Sequence, residues 1–172
     1  AMIAEKLDAI AYPGLTANFD AAKSASLAIT LLDWNEHGHA YAQMMAATAK
    51  ALGEALVAHQ IPVFARDRGI TASHQFAIEA AAYGGGQAAA KKLRAVNILS
   101  CGIGLPLPEV AGDVNGLRLG TPEIVRFGMT PADMPELAGY IAEGLSGSRP
   151  TEAVARDVTA MRGRFRALHF MR

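Results

Sequence analysis

A chain of 172 residues is long enough to bury a sizeable core as one ordinary domain. Its 16 basic and 16 acidic residues cancel, so no cationic field marks a nucleic-acid surface. A single cysteine, Cys101, excludes an internal disulfide, no apolar run reaches the length of a membrane span, and the N-terminus does not read as a signal peptide. The expectation is a cytoplasmic protein without nucleic-acid or membrane partners, rich in Ala and Gly and built as α/β.

Ile3, Leu7 and Ile10 recur at helical spacing, so residues 3–10 read as the last turns of a helix, broken by Tyr12-Pro13-Gly14. A chain that opens inside a helix reads as a fragment. Asn18 or Asp20 is placed to cap the next helix. Residues 21–32 are small and apolar, with Leu27, Ile29, Leu31 and Leu32 among them, and predict a helix buried on most sides. Asp33-Trp34-Asn35-Glu36 marks a bend, and a second long helix spans about 39–59 with a stripe through Met44, Met45, Thr48, Leu52, Leu56 and Val57. Residues 61–65 predict a strand with an edge proline, and residues 71–80 a second, with Phe76 and Ile78 on one face. Gly84-Gly85-Gly86 opens a helix over 87–96. Residues 97–99 predict a short third strand and residues 100–114 a long loop, which in a compact domain is usually functional.

Residues 115–120 then read as a strand that ends abruptly. Leu117 and Leu119 point to one face, and Gly116, Arg118 and Gly120 to the other. Thr121-Pro122 stops the ladder, because proline has no N–H to give, and Glu123 begins a helical turn. Thr130-Pro131 starts a helix running to about residue 145, and a final helix spans about 151–168 through Val154, Val158, Met161 and Phe165. The order of elements predicts a small antiparallel or mixed sheet covered on one face by helices.

One guanidinium on an otherwise apolar strand, flanked by glycines that allow close approach, suits a carboxylate held by two parallel hydrogen bonds. The same arginine could instead pair with a structural Asp or Glu. Gly84-Gly85-Gly86 could hold an anion at the following helix N-terminus, or be a plain turn. His37 and His39 lack a third metal ligand nearby, and no metal site is expected. Cys101 has no adjacent base in sequence and reads as a bystander thiol. His74 reads as a satisfied core histidine, and Met44 and Met45 as core.

Gly116-Leu117-Arg118-Leu119-Gly120-Thr121-Pro122, followed by Arg126 and Gly128, resembles the G-I-R-I/V-G-T-P…R-G segment of serine hydroxymethyltransferases. Ala11-Tyr12-Pro13-Gly14-Leu15 and Ser73-His74-Gln75-Phe76 are similar to that family's A-V/F-F-P-G and N-H-L-F stretches, in the same order and near the same spacing. The resemblance covers most of residues 5–145 and corresponds only to the C-terminal portion of the family. It implies the C-terminal small domain of an aspartate-aminotransferase-like fold. Residues 1–35 would form the edge of a missing large cofactor-binding domain, and residues 36–172 the small domain, with a sheet of about three strands covered by helices and preceded by long helices.

The resemblance also implies function. The chain would be part of a pyridoxal-phosphate-dependent enzyme acting on glycine and serine or a related β-hydroxy-amino acid, and a homo-oligomer. Arg118 matches the arginine that binds the substrate carboxylate. Arg126 matches a second family arginine or makes a structural ion pair. The Schiff-base lysine of the T-T/H-H-K segment is absent from this chain, so no catalytic residue is assigned and the chain alone is expected to be inactive. Where the family places a Gly-Gly-Pro step near the cofactor phosphate, this chain has Thr16-Ala17-Asn18-Phe19, so Thr16 and Asn18 are the candidate cofactor contacts. The family's asparagine-rich stretch, associated with folate, is here Ser100-Cys101-Gly102-Ile103-Gly104, which leaves tetrahydrofolate doubtful. An α-methylserine hydroxymethyltransferase or a threonine-aldolase-like enzyme would tolerate such changes. A non-catalytic regulatory or assembly domain is a further alternative, for which Arg118 would pair with an internal carboxylate.

Overall fold

The computed structural model describes residues 2–15 and 20–172, which form two compact units divided between Glu36 and His37. In the first unit, α1 (Met2–Ala9) runs into a wide helical turn over Ile10–Leu15, where Tyr12 takes extended backbone angles before Pro13. This is the helix end that the Tyr-Pro-Gly triplet predicts. Helix α2 (Ala21–Ala58) begins at Asp20, whose Oδ1 accepts the Ala22 N–H at 3.0 Å, an ordinary side-chain cap.

Helix α2 is unbroken, which corrects the expected bend at residues 33–36. None of Asp33, Trp34, Asn35 and Glu36 is glycine or proline, and each costs under about 1 kcal/mol relative to alanine in a helix. Among the described residues nothing covers residues 21–32, the exposure expected of a helix whose cover would be a missing large domain. Leu27 is 59% and Leu31 60% exposed, and Ile29 and Leu32 are open as well.

The second unit is organised by a three-stranded antiparallel sheet: β1 (Gln75–Glu79), β2 (Cys101–Ile103) and β3 (Gly116–Gly120), in the order β1-β3-β2. The last strand in sequence is therefore the central one. One face carries Phe76, Ile78, Leu117 and Leu119, all buried. They pack with Ala49, Leu52 and Leu56 of α2, Leu93 of α3 (Gly86–Ala95), Ile141 and Leu145 of α5 (Met134–Ser146), and Val154 and Val158 of α6 (Thr151–Arg162). Between β3 and α5 lies the short helix α4 (Pro122–Arg126). Thr130 and Asp133 form a reciprocal capping box before α5, the helix start that Thr130-Pro131 predicts.

Four boundaries differ from expectation: the strand expected over 71–80 is confined to Gln75–Glu79. Residues 61–65 make only an isolated bridge, Val63 to Ile78, rather than a strand. The third strand lies at Cys101–Ile103, not at 97–99, because α3 unwinds through Val96 into Asn97, which sits at φ +64° and cannot enter a ladder. It also shortens the expected loop. Helix α6 ends at Arg162, before Gly163, and the chain beyond is irregular.

Candidate functional site

Alternation along β3 decides which way its arginine points. Leu117 and Leu119 are buried, while Arg118 between them is exposed on the opposite face. In register, Arg118 stands between Ala77 of β1 and Cys101 of β2. It opens into a groove of about 600 Å³, walled by His74 and Gln75 on one side, Ser100 and Cys101 on the other, and Pro122 and Glu123 past the strand end. Among the described residues the Arg118 guanidinium has no hydrogen-bond or ion-pair partner. Arg149, by contrast, is bound by Asp157 at 2.7 Å and Glu143 at 2.8 Å, and those two bonds raise its pKa. Arg164 is held by Glu136. A fork of donors left open at a groove is equipped to take a carboxylate in two parallel bonds.

The corner where β3 becomes α4 is fixed from below by α2. Thr121 is fully buried, and its Oγ1 lies 2.8 Å from the Met45 carbonyl and 3.1 Å from that of His74. One helical turn earlier, the Tyr41 hydroxyl donates to the Pro122 carbonyl at 2.8 Å. Positions 41 and 45 share a face of α2, so the helix grips two consecutive residues. Arg126 stacks over the Tyr41 ring, 4.7 Å from its centroid, and its Nη1 is 3.4 Å from the Phe170 carbonyl. Its contacts are thus an aromatic face and a backbone oxygen rather than the ion pair considered from sequence.

The glycine triplet resolves differently. The N-terminus of α3 is already occupied by a carboxylate of the same chain: Asp113 accepts the Gln87 N–H at 3.0 Å and the Ala88 N–H at 2.9 Å. The bonds from Ala88 and Gln87, with a further one from Val114, hold the Asp113 carboxyl below its ordinary range. An independent anion site at this helix start is overturned, since its donors are spent. Only glycine fits at position 86, where an added Cβ would lie 2.0 Å from the Gly116 carbonyl oxygen. Asn115 then pins the preceding loop, its Oδ1 accepting the Leu105 N–H at 2.7 Å and its Nδ2 donating to the Leu107 carbonyl at 2.8 Å.

Of the remaining candidates, Thr16 and Asn18 lie outside the described residues. His74 is exposed on the groove wall and not in the core; its carbonyl, not its ring, is engaged, by the Thr121 N–H at 3.0 Å. Cys101 is half-buried beside Arg118. His37 and His39 sit on α2, and among the described residues no group of three His, Cys, Asp or Glu side chains could hold a metal. All five lysines, Lys6, Lys23, Lys50, Lys91 and Lys92, are exposed on helices, and none lines the groove. A cofactor that needs a buried lysine anchor beside Arg118 is not accommodated by the described residues alone. Among the described residues no helix is long and apolar enough to cross a membrane. Tyr41, Asp113 and Asn115 were not singled out from sequence, because each acts on a partner that no local pattern announces.

No family model matches the chain. It is 62% identical over its whole length to an α-methylserine aldolase from Ralstonia sp., of which it covers 39%. Identity to an α-methylserine aldolase from Variovorax paradoxus is 58% over 99% of the chain and 38% of that protein. A serine hydroxymethyltransferase from Methanopyrus kandleri is 36% identical over 98% of the chain and 40% of that protein. Among solved structures, L-threonine transaldolase from Pseudomonas fluorescens superposes over 93% of this chain and 36% of its own, with a TM-score of 0.79 at 24% identity. That likeness shows a shared fold. The chain spans about two-fifths of the length of the curated relatives it matches, and the matched part is their C-terminal portion.

Proposed function

We propose that this chain, a homologue of the C-terminal portion of α-methylserine aldolases and serine hydroxymethyltransferases, supplies the carboxylate-binding arm of a pyridoxal-phosphate-dependent enzyme that makes and breaks the Cα–Cβ bond of a β-hydroxy-α-amino acid. The observation that carries the reading is the unpaired Arg118 guanidinium facing an open groove. A substrate carboxylate held there by two bonds fixes one end of the molecule, and a second anchor at the amino group in the complete enzyme would stop rotation about Cα. The bond to be broken is then presented in one orientation, and such positioning supplies much of a rate. Pyridoxal phosphate, if held on polypeptide other than the described residues, would supply an electron sink at Cα.

The higher identity to α-methylserine aldolases than to hydroxymethyltransferases favours an α-methyl-β-hydroxy-amino acid as substrate, with cleavage to alanine and formaldehyde. Ser100 and Cys101 on the groove wall, within a stretch that lacks the family's asparagines, support a reaction without folate. Hydroxymethyl transfer between serine and glycine is the second reading, supported by the hydroxymethyltransferase relatives. The exposed leucines and isoleucine of α2 between residues 27 and 32 support a cover by other polypeptide, the large domain of the same enzyme in our reading.

The test is formaldehyde release from α-methylserine by the complete enzyme, with and without tetrahydrofolate, in wild-type and Arg118→Gln forms. Folate-independent release, with KM raised about a hundredfold or more in R118Q, is expected from losing two charge-assisted bonds. An unchanged KM in R118Q would refute the clamp. Activity on serine alone, dependent on folate, would favour the second reading.

A further inference from the structure

We propose that Tyr41 is a positioning residue for the carboxylate groove, and that the C-terminal segment around His169 and Phe170 is the clasp that holds Tyr41 in place. The inference rests on Arg118 being the carboxylate clamp and names what keeps its groove in shape. Pro122, four residues beyond Arg118, forms part of the groove wall, and its carbonyl accepts the Tyr41 hydroxyl at 2.8 Å across 81 residues of sequence. The ring has two neighbours in contact with it. Phe170 stacks on it with centroids 5.2 Å apart, and the Arg126 guanidinium lies over it at 4.7 Å. The clasp closes through backbone: the His169 N–H donates to the Arg126 carbonyl at 2.8 Å, and Arg126 reaches back to the Phe170 carbonyl.

Packing in the main core beneath the sheet does not account for these parts, although Phe170 packs on the small cluster that holds Tyr41. Tyr41 is buried with Met45 and Val125 in a small cluster separate from the main core, so its ring contributes little to the packing beneath the sheet. At Gly128, with φ +97°, an added Cβ would lie 2.7 Å from the His169 Nε2, so the turn after α4 is shaped to admit the tail. Thr121 already ties the corner to Met45; the Tyr41 bond adds a second point one helical turn away. A corner held at one point can pivot, and a corner held at two cannot. The second point sets the tilt of Pro122 and Glu123 toward Arg118, and with it the width of the groove.

The experiment reads groove occupancy directly. Cys101 stands beside Arg118, so a bound amino-acid carboxylate shields its thiol from an alkylating reagent. In the complete enzyme, alkylation of the Cys101 peptide is followed by mass spectrometry against increasing alanine, alongside steady-state kinetics. Tyr41→Phe keeps the ring and removes the bond. It is expected to raise the half-protecting alanine concentration and KM about fivefold, with kcat retained, the loss expected for one hydrogen bond. Removing residues 169–172 is expected to do the same or more. If Y41F and the truncation lower the melting temperature but leave half-protection unchanged, while R118Q abolishes protection, the clasp is merely structural and the inference fails with the clamp intact. If R118Q itself leaves protection unchanged, the clamp and the inference fall together.

Discussion

Two places in this chain are built to attract an anion, and they have opposite fates. At the start of α3 the free N–H groups of Gln87 and Ala88 are met by Asp113, which lies 25 residues beyond Ala88. On β3 the guanidinium of Arg118 meets no carboxylate among the described residues, although Glu123 lines the same groove. From sequence both could hold an anion, although Arg118 was the assigned site and the glycine triplet read mainly as a plain turn. The structure separates them by one criterion: whether the chain itself already provides the counter-charge. A satisfied anion site is part of the scaffold, and an unsatisfied one in an open groove is available to a ligand.

The contrast can be tested at both places. The largest effect belongs to Arg118. Arg118→Gln should cut kcat/KM of the complete enzyme about a hundredfold or more while leaving the melting temperature of this chain nearly unchanged, since an exposed side chain without partners contributes little to folding. Arg118→Lys should recover only part of that loss, because an ammonium is a point charge and cannot present two parallel donors. A lysine variant with full activity would show that charge alone suffices.

Next in size is Gly86→Ala. The new methyl would collide with the Gly116 carbonyl at the head of β3, and overpacking against backbone costs about 3 kcal/mol, read as a lower denaturation midpoint. Little change would mean that α3 can slide on the sheet. The smallest effect belongs to Asp113→Asn, which should lower the melting temperature at neutral pH without altering KM. Its sign with pH is fixed. Folding lowers the Asp113 pKa below the ordinary 3.8, so its stabilisation is complete at neutral pH and is lost as pH falls from about 4 through the depressed folded value. Wild type and D113N should therefore converge in melting temperature below that window. A gap that persists at low pH would assign the stability to packing rather than to the charge.

The legible part of the sequence was local. The β3 segment shows itself by alternation, so the outward face of Arg118 and the inward faces of Leu117 and Leu119 follow from residue order alone. Phe76 and Ile78, and the Thr130 cap, were legible for the same reason. Features that depend on distant partners were not. The Asp33–Glu36 quartet looks like a bend only if its polarity is weighed above its tolerance for helix. The short strand after α3 falls at Cys101–Ile103 because pairing with Arg118 and Leu117 chooses the register, and short apolar runs do not. Tyr41 is an ordinary helix residue until the bond to Pro122 is seen, and Asp113 a loop acid until α3 lies beside it.

The strand order carries a consequence for how the molecule is made. The segment that bears Arg118 is the last of the three to leave the ribosome, yet it lies between the other two. A nascent chain that has emerged only as far as residue 110 holds β1 bridged only at Val63–Ile78, and β2 without its ladder. Only the emergence of residues 116–120 lets either ladder form, so the arginine appears after both flanking strands have been made.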